Sequence, residues 1–206
     1  MRTHSPNQTT VPWLTIGLVV TVLSLHCLPP AVALLEYRPD AFAAGQYWRL
    51  LTWHLVHWSN QHLLWDLIAF AILGTLAEQH SRRLTALALL GGALTISLAI
   101  PLIHPELPSC RGLSGVDCAL FGLVWWQCLS TAWSQDDGPR TFLFALVGVG
   151  FLLKTLYEIR LGQALFAGDG FVPLPFAHLV GFGAGFLVAG SEQWRVGRSE
   201  TMVEMT

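Results

Sequence analysis

Long apolar runs alternate with short polar breaks along nearly the whole chain. A run of roughly 20 apolar residues can cross a bilayer as a helix. The pattern predicts such spans over 11–35, 59–77, 84–103, 113–133, 141–160 and 175–191. The breaks carry turn and charge signals: Pro39-Asp40, Glu78 to Arg83, His104-Pro105 with Pro108, Asp136 to Arg140, and Gly168-Asp169-Gly170. No break is long enough for a second domain, and no internal repeat is visible. The expected architecture is an all-α polytopic membrane protein with a six-transmembrane-helix bundle over 11–191. Short cytoplasmic segments are expected at 1–10 and 192–206.

Composition supports the bilayer as the solvent. The chain has 206 residues, 53% hydrophobic and 12% charged, with a mean hydropathy of +0.52. A soluble domain of this length could not cover so much apolar surface. The net charge of −2 gives no reason to expect a nucleic-acid partner, and no extended basic run suggests a lipid-reading tail. Cys27, Cys110, Cys118 and Cys128 show no CxxC spacing, so no zinc site is expected. A Cys110–Cys118 bridge would straddle Ser114 and distort it, and free thiols are expected instead. No cofactor is implied.

An even number of crossings places both termini on one side. With cytoplasmic termini, Arg2, Arg82, Arg83, Arg140, Arg195 and Arg198 face inward, and Arg38, Arg49, Arg111 and Arg160 outward, a modest positive-inside bias. Trp13, Trp133 and Trp194 would mark one interface, and Trp48, Trp53 and Trp58 the other. Ala31-Val32-Ala33 resembles a signal-peptidase site, but the basic flank is thin and the apolar run long, which favours a retained span.

Candidate chemistry concentrates at the outer side. Arg111-Gly112-Leu113-Ser114-Gly115-Val116-Asp117 opens one apolar helix, and Phe176-Ala177-His178 opens another. A serine is inert in a membrane unless a base reaches it, and here serine and histidine begin their helices at matched depth. Gly112 and Gly115 clear the space beside Ser114. Gly181 and Gly185 form a GxxxG on the His178 helix, and Gly122 offers a flat partner position, so the helices can approach closely. Each element alone has a plainer reading as packing or as an interfacial histidine; the weight lies in their combination.

A second constellation contains His57, His62 and Asp66. Ser59 or Asn60 can cap the helix that follows, leaving His57 in the preceding loop and placing His62 and Asp66 on one helix face. Such a pair could stabilise an oxyanion. It could also ligate a metal, although there is no HExxH and His57 and His62 do not share a face by spacing. His54 and His104 read as ordinary interfacial residues. Lys154 and Glu158, four apart, could pair.

Taken together these residues resemble the rhomboid family of intramembrane serine proteases. The resemblance runs through Trp48-Arg49, the spaced His57, His62 and Asp66, Gly74 to Glu78 (a GxxxE), Gly112-Leu113-Ser114-Gly115, and Ala177-His178 with Gly181 and Gly185. The Trp48-Arg49-Leu50-Leu51-Thr52 run and the short loops look closest to the rhombosortase branch. The resemblance implies a rhomboid-like bundle with Ser114 as nucleophile and His178 as general base and then acid. No third acidic member is needed in this family's dyad. His62, with the N–H of Ser114 and of Leu113, would form the oxyanion hole. Glu78 and Arg82 would tie an inner loop. The implied partners are transmembrane or C-terminally anchored protein substrates with GlyGly-CTERM tails, cut at the outer face of a bacterial inner membrane.

The chain departs from the family's pattern at two positions. Asp66 stands where Asn is common, and Cys118 where many members have Tyr. An ionised Asp66 beside an oxyanion would oppose catalysis. It must therefore be protonated, point elsewhere, or pair with His62, the expected arrangement. Two other functions would use the same residues: a non-catalytic binder of transmembrane clients, and a metal or solute transporter built on His57, His62 and Asp66.

Overall fold

The computed structural model describes residues 10–162 and 174–204. Residues 1–9 of the expected N-terminal segment and the Gly168-Asp169-Gly170 break lie outside the described residues. Within them the elements are α1 (Trp13–His26), α2 (Pro29–Leu35), α3 (Pro39–Ala43), α4 (Arg49–Thr52), a 3-10 turn (Trp53–Leu55), α5 (Asn60–Ile103), α6 (Ser114–Ser134), α7 (Gly138–Leu161) and α8 (Pro175–Glu204). The described residues are all-helical, and among them one isolated antiparallel bridge joins Tyr37 to Cys110.

Local chemistry sets these boundaries. Ser59 caps α5 by accepting the His62 N–H at 3.2 Å. The helix then runs across a break at Ser81, whose φ of −161° and ψ of 109° are extended, so residues 60–80 and 82–103 form two helices in sequence. Asp137 caps α7 through the Arg140 N–H at 3.0 Å, and Gly162 ends it in the left-handed region at φ 67°.

The expected span over 11–35 is not one straight helix. α1 and α2 meet at a 109° bend. Pro29 and Pro30 lack the N–H groups needed to continue α1, and the residue before them, Leu28, is driven to extended geometry. At 14 residues α1 is about 21 Å long, short of the ~30 Å hydrocarbon core. α8 itself continues as a helix to Glu204, past the end of the apolar stretch.

Among the described residues, length and hydropathy alone qualify Arg82–Ile103 and Gly138–Leu161 as crossings, with a third if α1 and α2 count together. The expectation of six exceeds this for a physical reason. Residues 60–80 carry Gln61, His62, Asp66, Glu78 and Gln79, and α6 carries Asp117 and Gln127. These polar residues lower the hydropathy of those helices, and His62, Asp66, Glu78 and Asp117 among them are buried inside the bundle. Outward-facing leucines such as Leu87, Leu94, Leu146 and Leu153 remain exposed, as a lipid-solvated surface requires.

α6 is the central helix, packed on α5, α7 and α8. Its contact with α8 is backbone to backbone: a Cβ added at Gly185 would lie 1.8 Å from the Ala119 carbonyl oxygen, and one at Gly122 would lie 2.2 Å from that of Phe182. Gly185→Val is therefore expected to destabilise the bundle by about 3 kcal/mol or more through overpacking. Thermal unfolding in detergent measures this; a wild-type melting temperature would contradict such close packing.

The GxxxE of Gly74 to Glu78 has a clear local function. α1 has no side-chain cap of its own. The Glu78 carboxylate supplies one from α5, accepting the N–H of Leu14 at 3.1 Å, the N–H of Thr15 at 3.0 Å and the Thr15 hydroxyl at 3.1 Å. Arg82 completes the site with Nε 3.0 Å from Glu78 and Nη2 donating to the Val11 carbonyl. Gly74 permits the approach, since a Cβ there would stand 2.8 Å from Thr15 Oγ1.

Candidate active site

The segment leading to Ser114 is held from both sides. Cys110 exchanges backbone hydrogen bonds with Tyr37, at 3.1 and 3.0 Å. Arg111 pairs with Glu36 at 2.6 Å and lies 4.1 Å above the Trp58 ring. Gly112 then takes φ 127°, a conformation that side chains disfavour, and its N–H donates to the Trp53 carbonyl at 3.2 Å. A Cβ there would also stand 2.7 Å from His62 Cε1. This turn delivers Ser114 as the first residue of α6. The N–H groups of Ser114 and Gly115 open the helix, where no preceding turn can accept them and the dipole favours negative charge.

His178 lies in the first turn of α8. The same glycine packing that joins α6 to α8 brings it to the serine: Gly181 faces the Gly115 carbonyl, 2.0 Å from where a Cβ would stand. His178 Nε2 is 3.1 Å from Ser114 Oγ, within hydrogen-bond distance.

Asp66 Oδ2 collects its neighbours' protons. His57 Nε2 lies 3.1 Å from it, His62 Nε2 3.2 Å, and the Leu113 N–H donates at 3.0 Å. Three consequences follow. First, the loop folds His57 back beside His62, their rings 5.2 Å apart, although helical spacing separates them. Second, both imidazole nitrogens converge on one carboxylate oxygen and so act as donors to it, a different geometry from ligands surrounding an ion. Third, the Leu113 N–H donates to Asp66 and so ties the loop ahead of Ser114 to α5. Burial lowers the His57 pKa against the opposing pull of Asp66, so His57 is neutral at pH 7 and donates an N–H.

Two interfacial assignments are corrected. Trp53 and His54 are buried, 3% and 2% exposed, with Trp53 Nε1 donating to Ser97 Oγ at 2.7 Å and His54 Nε2 3.2 Å from the Ala93 carbonyl. They anchor the loop before α5 onto the helix of residues 82–103, and Ser97 in turn donates to the Leu50 carbonyl. Arg49, itself buried, donates to Gln46, Glu36 and Ala33, stitching α2 to the same loop. Trp13, Trp48, Trp58, Trp133 and Trp194 stay exposed, and His104 pairs with Glu106 at 3.0 Å. All four cysteines are free thiols.

Sequence reasoning gave no site role to Asp117 or Glu158. Asp117 is 6% exposed on α6, three residues past Ser114, and its Oδ1 is buried with no hydrogen-bond partner among the described residues. Glu158 on α7 is 1% exposed and pairs with Lys154 at 2.9 Å. An acid within an apolar helix is the signal that marks such positions.

Comparison with known families agrees with this architecture. The family model described as Rhomboid domain matches residues 44–191, from the loop ahead of α4 through the Ser114 and His178 helices. No curated protein matches the chain at a significant level. With that match spanning most of its length, the chain belongs to the rhomboid family of membrane proteins.

Proposed function

We propose that this protein is an intramembrane serine endopeptidase in which Ser114 and His178 form the catalytic dyad. The observation that carries this reading is the 3.1 Å contact between His178 Nε2 and Ser114 Oγ, placed at the start of α6. Ser114 Oγ attacks the scissile carbonyl as His178 Nε2 takes its proton. The oxyanion develops beside the first N–H groups of α6, where unpaired donors and the helix dipole favour it. His178 then gives its proton to the leaving amine, and water, activated by the same imidazole, releases the acyl-enzyme. Asp66 serves as an anchor, holding His57, His62 and the Leu113 backbone in place.

The substrate is the transmembrane or C-terminal sorting segment of a secreted protein, with the GlyGly-CTERM class as the specific client. The segment unwinds locally before cleavage, because a helical peptide bond is shielded and its carbonyl already bonded. The active site faces the periplasmic side of a six-span bundle in the bacterial inner membrane. Coexpression of a tagged GlyGly-tail protein with wild type, Ser114→Ala or His178→Ala tests this reading. Cleavage by wild type alone, at equal membrane abundance, is expected. Cleavage that persists in either variant contradicts the dyad, and an uncleaved tail with an active serine contradicts the client.

A further inference from the structure

His178 spends one ring nitrogen on Ser114 and leaves the other without a partner. A base that takes the serine proton on Nε2 must already carry a proton on Nδ1. Nδ1 is buried and has no hydrogen-bond partner among the described residues. An N–H left unpaired in such a place is costly, and more so once the ring becomes an imidazolium.

A carboxylate stands beside it. Glu158 Oε2, from α7, lies 3.9 Å from His178 Nδ1. Glu158 is 1% exposed, so water does not screen it, and Lys154 Nζ holds the same oxygen at 2.9 Å from one turn earlier. The charged groups that act on His178 are Lys154 and Glu158 from α7 and Asp66 and His62 from α5. Asp66 is occupied by His57, His62 and Leu113, which leaves Glu158 as the acid facing Nδ1.

Building on the Ser114–His178 reading, we propose that Glu158 is a positioning residue for His178. Its carboxylate accepts the Nδ1–H as the imidazolium forms, fixing the ring so that Nε2 points at Ser114 and offsetting the new charge. The contact must close by about one ångström, and catalytic hydrogen bonds are commonly long before substrate binds. The base thereby depends on a third helix, α7, which neither the serine loop nor the α6–α8 glycine packing requires.

The test compares Glu158→Gln with Lys154→Met in the purified full-length protein. Readouts are the rate of fluorophosphonate labelling, kcat and KM on a cleaved substrate, and the melting temperature. Glu158→Gln is expected to slow labelling and kcat about 10- to 100-fold, less than the roughly 10^4-fold lost with a directly bonded triad acid, with KM nearly unchanged. Lys154→Met removes the cation that holds Oε2; it is expected to lower the melting temperature, and to slow labelling and kcat less than Glu158→Gln does. A purely structural ion pair would instead make both variants fail together. Should Glu158→Gln not fold, a proton spectrum of the phosphonylated wild type decides, through a far-downfield His178 Nδ1–H resonance. Its absence, wild-type labelling by folded Glu158→Gln, or equal losses in both variants would overturn the role of Glu158 and leave the dyad standing. A wild type that does not label at all would overturn the dyad, and this proposal with it.

Discussion

Ser114→Ala is expected to abolish proteolysis while the bundle stays folded. The substitution removes one oxygen whose hydrogen-bond partner is His178 Nε2. The loop that positions residue 114 is held by other groups: the Tyr37–Cys110 bridge, Arg111 on Glu36, and the Leu113 N–H on Asp66. Alanine suits the first turn of α6, so the stability change should stay within about 1 kcal/mol. Loss of a nucleophile, by contrast, costs about 10^6-fold in kcat in serine proteases. Parallel measurement of cleavage and of the melting temperature checks both halves. Unfolding of Ser114→Ala would show that the hydroxyl has a structural role instead.

The second large effect is expected at Asp66, where alanine and asparagine should diverge. Alanine strips the acceptor from the His57 and His62 imidazoles and from the Leu113 N–H, all in a buried site. Each stranded donor costs about 1–3 kcal/mol, and together a loss of about 3–5 kcal/mol is expected. Release of Leu113 also frees the turn that aims Ser114, so activity should fall with stability. Asparagine keeps an oxygen in the same place and should retain substantial activity, within about tenfold of wild type. Melting temperatures and cleavage rates of the two variants separate these cases. A folded but inactive Asp66→Asn would show that the negative charge itself is required.

The sequence made the helical bundle and the meeting of its two key helices readable because both rest on short-range patterns. Apolar run length locates the helices, and the spacing of Gly181 and Gly185 marks a face that must pack closely. What escaped depended on how elements turn relative to one another. The Pro29-Pro30 pair was visible, yet a proline pair alone does not say whether a hydrophobic run bends or is interrupted, and here it bends by 109°. His57 joins His62 only because the loop containing Trp53 and His54 docks on residues 82–103 and folds back. Glu158 was legible as a partner for Lys154, four residues away, but its approach to His178 depends on the rotation of α7. That helix buries only a thin stripe through Gly148, Thr155 and Glu158, too little for its orientation to be read from periodicity. Residues 60–80 and α6 fall below a simple hydropathy threshold because Asp66, Glu78 and Asp117 are turned inward.

The central claim, that Ser114 is a nucleophile activated by His178, is tested most directly by covalent capture. Purified wild type, Ser114→Ala and His178→Ala would be exposed to a fluorophosphonate, and the adduct mapped by peptide mass spectrometry. A single adduct on Ser114 in wild type, absent from Ser114→Ala and strongly reduced in His178→Ala, is the predicted result. No adduct on folded wild type, or labelling undiminished in His178→Ala, would contradict it.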